Sequence, residues 1–188
     1  MPDDSQSYYA VLSGTQPRRT MIGREAEIPG VSTLFTGEII RVPVPSPLRY
    51  SLSPEMPGDR QHFYREVPLM SNRLLSLLRT CGVDNLQAFP AILEDPISGQ
   101  TWNDYQAVNV VGAVECVDFQ RSDFAGGRRL VTAQFDGFVI DPARAGHFKF
   151  FRLAESISTL IANGEVRDYI TTEEPSALNF VPTLDYAT

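Results

Sequence analysis

The feature that most constrains the fold of this chain is one amphipathic helix followed by a long apolar run. Ser71 is placed to cap the helix, because its hydroxyl can accept a hydrogen bond from a backbone N–H two or three residues on. The apolar side chains recur at helical spacing: Leu74, Leu77, Leu78 and Cys81. Gly82 then supplies the left-handed residue that ends many helices. The pattern predicts a helix over 71–81 whose apolar face must be covered by other elements.

The apolar run over residues 105–117 is too long for one average strand. We predict a strand to about Val111, a bend at Gly112 and then a shorter strand or a turn. Residues 86–93 are a further strand, in which Pro90 indicates a sheet edge or a bulge because proline has no N–H to donate. We expect the helix and these strands to form the centre of the core.

A second helix and a hairpin are predicted later in the chain. Asn163 can cap a helix over 164–172. Asp136-Gly137 is a strong hairpin turn signal, so the segments on either side of it are expected to pair. Those segments are residues 130–135 and 138–140. Other short strands are predicted over residues 8–12, 35–44 (two pieces around Gly37), 148–153 and 158–162.

The prolines of residues 43–60 predict an extended surface connection, because each fixes φ and lacks an N–H. Together the elements indicate an α+β fold, with a mostly antiparallel or mixed sheet of short strands and two principal helices. Residues 1–67 are expected to add strands and a Pro-rich segment that pack on a main domain over 68–188. At 188 residues the whole chain is expected to form one structural unit.

Charge and composition favour some partners over others. The net charge is -7, and residues 161–188 carry five acidic and one basic side chain. Phosphate binding needs clustered Lys and Arg, so nucleic acid is not the expected partner, whereas a basic protein is compatible with this charge. No window approaches the roughly 18 consecutive apolar residues of a membrane span. The acidic N-terminus has no apolar signal region, so a cytoplasmic location is expected.

A search for catalytic motifs returns two histidines and two cysteines. The sequence has no P-loop, no GxSxG, no HExxH and no metal-spaced Cys or His pair, so neither a cofactor nor a metal is expected. His62 or His147 is a candidate general base with a nearby carboxylate, Asp59 or Asp141. Cys81 and Cys116 are expected to be buried structural thiols.

Six side chains are candidates for contact with a protein partner. Trp102 is the single tryptophan and follows a turn, where an aromatic residue can anchor an interface or pack under the sheet. Glu165 and Asp168 are three residues apart on the predicted second helix and share a face. The full candidate set is Trp102, Asp104, Glu165, Asp168, Glu173 and Glu174. A solvated helix face is the alternative reading of the acidic members.

Several short motifs resemble a family of bacterial immunity proteins from polymorphic toxin systems. In chain order they are residues 68–75 (PLMSNRLL), 82–85 (GVDN), 105–111 (YQAVNVV) and 151–153 (FRL), then 158–162 (STLIA) before a short helix. The similarity covers roughly residues 68–184. It implies a non-enzymatic cytoplasmic protein that binds and neutralises a cognate toxin.

Other functions stay open at this point. The charge of the chain favours a basic nuclease as the toxin. The main alternative is a small enzyme that uses His62 or His147 with a carboxylate. A self-associating structural component is a third reading, and a homodimer is compatible with all three.

Overall fold

The computed structural model describes residues 7–14, 21–56, 59–125 and 134–187. Within these residues the chain forms two larger sheets, a two-stranded pair and three α-helices. The helices are α1 (Asn72–Thr80), α2 (Pro142–Ala145) and α3 (Gly164–Glu173), with a 3-10 turn at Thr183–Asp185. The predicted α+β class with two principal helices, α1 and α3, is confirmed. No helix in the described part of the chain is long and apolar enough to span a membrane.

The five-stranded sheet places the N-terminal strand in its interior. Its strands are β1 (Tyr8–Ser13), β8 (Ala113–Val114), β11 (Phe150–Leu153), β12 (Leu160–Asn163) and β13 (Leu178–Pro182). They lie in the order β13–β1–β12–β11–β8. The β11–β8 pair is parallel and the other pairs are antiparallel. Strand β1 is therefore hydrogen bonded on both sides.

The six-stranded sheet is also mixed. Its strands are β2 (Ile22–Arg24), β3 (Leu48–Leu52), β4 (Phe63–Tyr64), β5 (Leu69–Ser71), β6 (Leu86–Glu94) and β7 (Thr101–Val110). They lie in the order β2–β3–β6–β7–β5–β4, with β3 and β6 parallel. The predicted boundary between residues 67 and 68 falls between β4 and β5, which pair with each other.

Helix α1 begins and ends as its sequence predicts. The Ser71 hydroxyl accepts a hydrogen bond from the Leu74 N–H at 3.2 Å, and Gly82 has a φ of 86°. Its leucines are buried in one cluster with β7 of the six-stranded sheet and with β11 and β12 of the five-stranded sheet. Full burial of each leucine contributes about 1.5–3 kcal/mol. The apolar face of α1 therefore joins the two sheets into one core.

Helix α3 is also capped as predicted, and it packs in the same cluster. The Asn163 side chain accepts a hydrogen bond from the Val166 N–H at 3.1 Å. Val166 and Ile170 are fully buried in the cluster with α1. The helix ends at Glu173, just before Pro175.

Gly112 carries the chain from one sheet to the other. Strand β7 ends at Val110 in the six-stranded sheet, and β8 begins at Ala113 in the five-stranded sheet. Gly112 lies between them with a φ of 91°, a backbone conformation that costs a side-chain-bearing residue about 1–2 kcal/mol. The predicted bend at this glycine is confirmed.

The predicted strands over residues 35–44 are wrong. This segment is irregular, and its backbone is held largely by side chains of neighbouring elements instead of by a strand ladder. We call residues 34–40 the strap. Asn109 Nδ2 donates to the Glu38 carbonyl at 2.7 Å, and Gln87 bonds both the N–H and the carbonyl of Ile40. These amide side chains satisfy backbone groups that a neighbouring strand would otherwise pair.

The proline-rich segment also differs from its prediction, because it contains the internal strand β3. Residues 48–52 lack proline, and Leu48, Tyr50 and Leu52 alternate as buried side chains. Pro90 does not mark an outer strand, because β6 lies between β3 and β7, and the register shift falls just after it, between Ala91 and Leu93. The β3 pairing begins only at Ala91, so Pro90 faces no β3 partner in the described pairing.

The predicted hairpin at Asp136-Gly137 is wrong. Residues Gln134–Phe135 (β10) pair with Phe124–Ala125 (β9), and Ile140 bridges to Val117. The Gly137 N–H donates to the Tyr186 carbonyl, so the turn contacts the C-terminal segment. Two features of the sequence fall outside the described residues: Arg18-Arg19, which is read as a solvated loop, and the first part of the predicted hairpin, residues 130–133.

Replacement of Gly112 by alanine should lower the free energy of unfolding by about 1–2 kcal/mol, because alanine resists a positive φ. A Cβ at this position meets nothing within 4 Å, so the loss would come from the backbone alone. Urea titration measures the change. Gly112→Asn is the matched variant and should lose less, because asparagine tolerates this region better. Equal stability of Gly112→Ala and the wild type would contradict a strained bend.

Candidate functional site

Arg60 lies at the centre of a surface at one end of the six-stranded sheet. Its Nη1 donates to both carboxylate oxygens of Asp104, at 2.8 and 3.0 Å. Its guanidinium carbon lies 5.5 Å from the ring centroids of both Trp102 and Tyr105. An exposed ion pair alone contributes little to stability. The two rings and the carboxylate together hold this arginine in one orientation while its side chain stays 38% exposed.

A register shift places the two aromatic rings side by side. Ala91 of β6 faces Tyr105 of β7, and Leu93 faces Trp102, so β7 contains one residue more than β6 between the two pairs. This is the count of a β-bulge. Simple alternation would place residues 102 and 105 on opposite faces, whereas both rings pack with the cluster that contains Ala91 and Leu93. Trp102 is therefore packed against the core on one side and partly exposed to solvent on the other.

Exposed apolar side chains occur in the chain segments that leave this end of the sheet. Met56 follows β3 and is 49% exposed, and Ile97 follows β6 and is 64% exposed. Because β3 and β6 are parallel neighbours, both segments leave the same end of the sheet. We call this set the Arg60 surface: Met56, Arg60, Ile97, Trp102 and Asp104. Trp, Arg and Met are the residue types enriched at protein interfaces.

His62 connects this surface to the start of α1. Its Nδ1 lies 2.7 Å from the Ser71 hydroxyl, and its carbonyl accepts a hydrogen bond from the Ser71 N–H at 2.8 Å. Burial lowers the pKa of His62 below its usual 6.5, although the carboxylates of Glu174 and Asp104 act in the opposite direction. The imidazole is therefore mainly neutral at pH 7, and its tautomer decides whether Nδ1 or the Ser71 hydroxyl is the donor in this hydrogen bond.

The Ser71–His62 pair has the residue types of a nucleophile and its base. However, Ser71 is a buried residue, 4% exposed, and its hydroxyl also caps α1 by accepting a hydrogen bond from the Leu74 N–H. Use of this oxygen as a nucleophile would require the cap to open. The geometry is that of an anchored helix start.

The second histidine has different neighbours. His147 is exposed, and its ring stacks on Phe148 with a centroid distance of 4.6 Å. Asp141, the carboxylate considered for it, caps α2 at Ala143 and bonds Arg144 Nε at 2.9 Å. That hydrogen bond to Arg144 lowers the pKa of the Asp141 carboxyl. The carboxylate is therefore engaged within α2.

Each predicted acidic contact residue has a basic neighbour in the described structure. Glu165 lies 2.6 Å from Lys149 Nζ, and Asp168 lies 2.5 Å from Arg167 Nε. Arg73 lies between Glu173 (3.9 Å) and Glu174 (3.6 Å). With the Arg60–Asp104 pair, five acidic residues face four basic ones. The predicted acidic patch is therefore nearly balanced locally.

The structure brings only part of the predicted set together. Trp102 and Asp104 share the Arg60 surface, and Glu174 acts electrostatically on His62 beside it. Glu165 lies at the opposite end of α3, where its carbonyl is 3.8 Å from the sulfur of Cys81. Sequence reasoning missed Arg60 and Met56, because both lie in the segment predicted as an extended surface connection and the partner of Arg60, Asp104, is 44 positions away.

The two cysteines are free thiols, and neither has an environment that favours the thiolate. Cys116 is fully buried, as predicted, whereas Cys81 is partly exposed at the end of α1. Burial raises the pKa of both thiols. In the described part of the chain, no group of three or more His, Cys, Asp or Glu residues could hold a metal ion.

Replacement of His62 by glutamine should flatten the pH dependence of stability between pH 7 and 5. The folded pKa of His62 lies below its unfolded value, so the unfolded chain binds more protons in this range. The wild type should therefore lose stability as the pH falls below about 6.5, and His62→Gln should lose less. Urea titrations at several pH values measure this difference.

His147→Gln is the matched control, because His147 is exposed, and it should keep the wild-type slope. A His62→Gln variant with the full wild-type slope would show that another group causes the acid sensitivity.

Comparison with known proteins adds no family assignment. The chain matches no protein-family model and no curated protein sequence. The features that bear on function are the geometry of the Arg60 surface and the motifs in the sequence.

Proposed function

We propose that this protein is a non-enzymatic immunity protein that binds a cognate toxin in the bacterial cytoplasm and neutralises it. The observation that carries the proposal is the arrangement of Arg60, which is held by Asp104 and by two aromatic rings while its side chain stays partly exposed. Exposed apolar side chains lie in segments that leave the same end of the sheet. The motifs that resemble an immunity family support the same reading.

The Arg60 surface has the physical properties of an interface centre. Trp and Arg are the residues most enriched among those that dominate binding energy. Ordering a free arginine side chain on binding costs about 0.5–1.5 kcal/mol, and Arg60 is already ordered by its neighbours. Met56 and Ile97 add apolar area that a partner would cover.

Charge bears on the nature of the toxin. The chain has a net charge of -7, which favours fast association with a basic protein such as a nuclease. The acidic side chains of α3 contribute little to this field, because each has a basic neighbour within 4 Å. The attraction of a basic nuclease would therefore come mainly from acidic residues outside α3.

An enzyme remains the second candidate, favoured by one specific contact. The 2.7 Å approach of His62 Nδ1 to the Ser71 hydroxyl is the geometry that a base and a nucleophile would need. Combined replacement of His62 and His147 by glutamine separates the two functions. Full protection by that variant would reject the hypothesis that the protein is an enzyme. Loss of protection with an intact fold would favour that hypothesis.

The Arg60 surface can be tested with the product of the neighbouring gene as the candidate toxin. Arg60→Ala should weaken the complex by about 30-fold or more, because a dominant interface residue contributes about 2 kcal/mol. Trp102→Ala should do the same. Co-expression of toxin and variant measures protection, and titration of the purified proteins measures the dissociation constant.

Arg79→Ala is the matched control, because Arg79 is an exposed arginine in the last turn of α1. It should protect like the wild type. A wild-type protein that neither protects nor forms a complex would reject immunity. A complex that Arg60→Ala leaves intact would place the interface elsewhere. Weaker association at higher salt would support a basic toxin, and salt-independent association would oppose it.

A further inference from the structure

The end of the strap and the residues that follow it are exposed, although their backbone is well anchored. Four side chains are exposed in this segment: Glu38, Ile39, Arg41 and Val42. The exposed fraction is 51% for Ile39 and 42% for Val42. Residues 37–41 contain no turn or bend. None of these residues belongs to the Arg60 surface, and the function proposed above uses none of them.

A cross-strand pair in the six-stranded sheet holds the inner side of this segment. Gln87 of β6 faces Asn109 of β7 and accepts a hydrogen bond from its Nδ2 at 3.0 Å. The Gln87 amide also accepts from the Ile40 N–H at 2.8 Å and donates to the Ile40 carbonyl at 3.1 Å. Asn109 Nδ2 donates to the Glu38 carbonyl at 2.7 Å. Main-chain groups of the alternate residues 38 and 40 are therefore bound to the protein.

The outer side of the segment is open. Among the residues that the structure describes, no hydrogen bond engages the N–H or the carbonyl of Ile39 or Arg41. In an extended chain the main-chain groups of successive residues point to opposite sides. Those of Ile39 and Arg41 therefore point away from Gln87. The segment resembles an edge strand that is paired with amide side chains on one side and unpaired on the other.

The flanks of the segment are fixed as well. The Gly37 carbonyl accepts a hydrogen bond from the Gly112 N–H at 2.8 Å, and a Cβ at Gly37 would lie 3.2 Å from the Gly112 carbonyl carbon. Ile40 and Val44 pack against the cluster that contains the buried residues of β3, β6 and β7. Pro43 fixes its own φ. A partner that binds this segment would therefore lose little affinity to ordering it.

We propose that this segment binds as a substrate-like strand in the cleft of a serine endopeptidase that prefers arginine. Such a cleft pairs with the main chain of an extended segment, and its specificity pocket receives a basic side chain on a carboxylate. Ile39 and Arg41 offer the open main-chain groups. The Arg41 side chain is exposed and has no ion pair or hydrogen bond among the described residues, so it is free to enter the pocket.

The anchoring of the segment determines the result of this binding. The bond between Arg41 and Val42 is the one that the endopeptidase would hydrolyse in a flexible substrate. Here Gln87 holds the chain before that bond, and the packing of Val44 holds it after the bond. Both sides of the bond would stay in the cleft at high effective concentration. The protein would therefore block the endopeptidase.

A second copy of this chain is the other strand that the open side could pair with. Such a pair would use main-chain groups and would not need the charge of Arg41. A carboxylate is the stronger partner for a free guanidinium. The free arginine therefore favours the endopeptidase cleft.

The experiment uses the full-length protein and trypsin in which the catalytic serine is replaced by alanine, so that no peptide bond is cut. A fluorescent benzamidine occupies the specificity pocket, and its displacement measures binding. Arg41→Ala should weaken binding by about 30-fold or more, because the pocket then stays empty. Arg41→Lys should stay within about tenfold of the wild type, because the pocket accepts either cation. Gln87→Met should weaken binding by about tenfold, because it removes both hydrogen bonds to Ile40.

Arg79→Ala is the matched control, because Arg79 is exposed on a regular helix, and it should bind like the wild type. Chymotrypsin with the same serine replacement should bind more weakly, because its pocket is apolar. Thermal unfolding shows whether Gln87→Met is folded, and the exposed Arg41 variants test the inference without it.

The inference is overturned if the wild-type protein does not displace the benzamidine, or if Arg41→Ala displaces it equally well. Equal loss of binding in Arg79→Ala would overturn it too, as would equal affinity for chymotrypsin. A dimer in size-exclusion chromatography that persists in Arg41→Ala, without displacement by the wild type, would assign the open side to a second copy instead. None of these results depends on the toxin or on the Arg60 surface.

Discussion

The burial of the leucine face of α1 is the interaction on which the rest of this structure depends. It packs on strands of both large sheets, so neither sheet has a complete core without the helix. Ser71 links this core to the candidate surface, because it is the last residue of β5, the cap of α1 and the hydrogen-bond partner of His62. The positions of Arg60 and Trp102 therefore depend on the same packing that stabilises the fold.

Arg152 explains why the strap is irregular and still well anchored. Its side chain is fully buried and lies near no carboxylate close enough to form an ion pair among the described residues. Instead Nη1 donates to the Ile157 carbonyl, Nη2 donates to the Leu34 carbonyl, and the guanidinium lies 5.1 Å from the Phe35 ring centroid. Burial lowers the pKa of Arg152 to about 10. A buried cation needs hydrogen-bond acceptors, and the strap supplies the Leu34 carbonyl as one of them. In a regular strand that carbonyl would instead pair with a neighbouring strand.

Local signals in the sequence predicted the elements whose causes are local. The cap and leucines of α1, the bend at Gly112 and the cap of α3 each depend on residues within one or two turns. The failures have distant causes. The strap is fixed by Gln87, Asn109 and Arg152, and the Arg60 surface depends on a contact between residues 44 positions apart and on a bulge that alternation does not show.

Net charge and local charge lead to different conclusions in this protein. The C-terminal segment carries five acidic residues and one basic residue in sequence, which predicts an acidic face. In the structure Lys149 and Arg73, from outside that segment, offset half of its excess negative charge. The field of a protein at short range is set by its unbalanced charges, because paired charges cancel within a few ångströms.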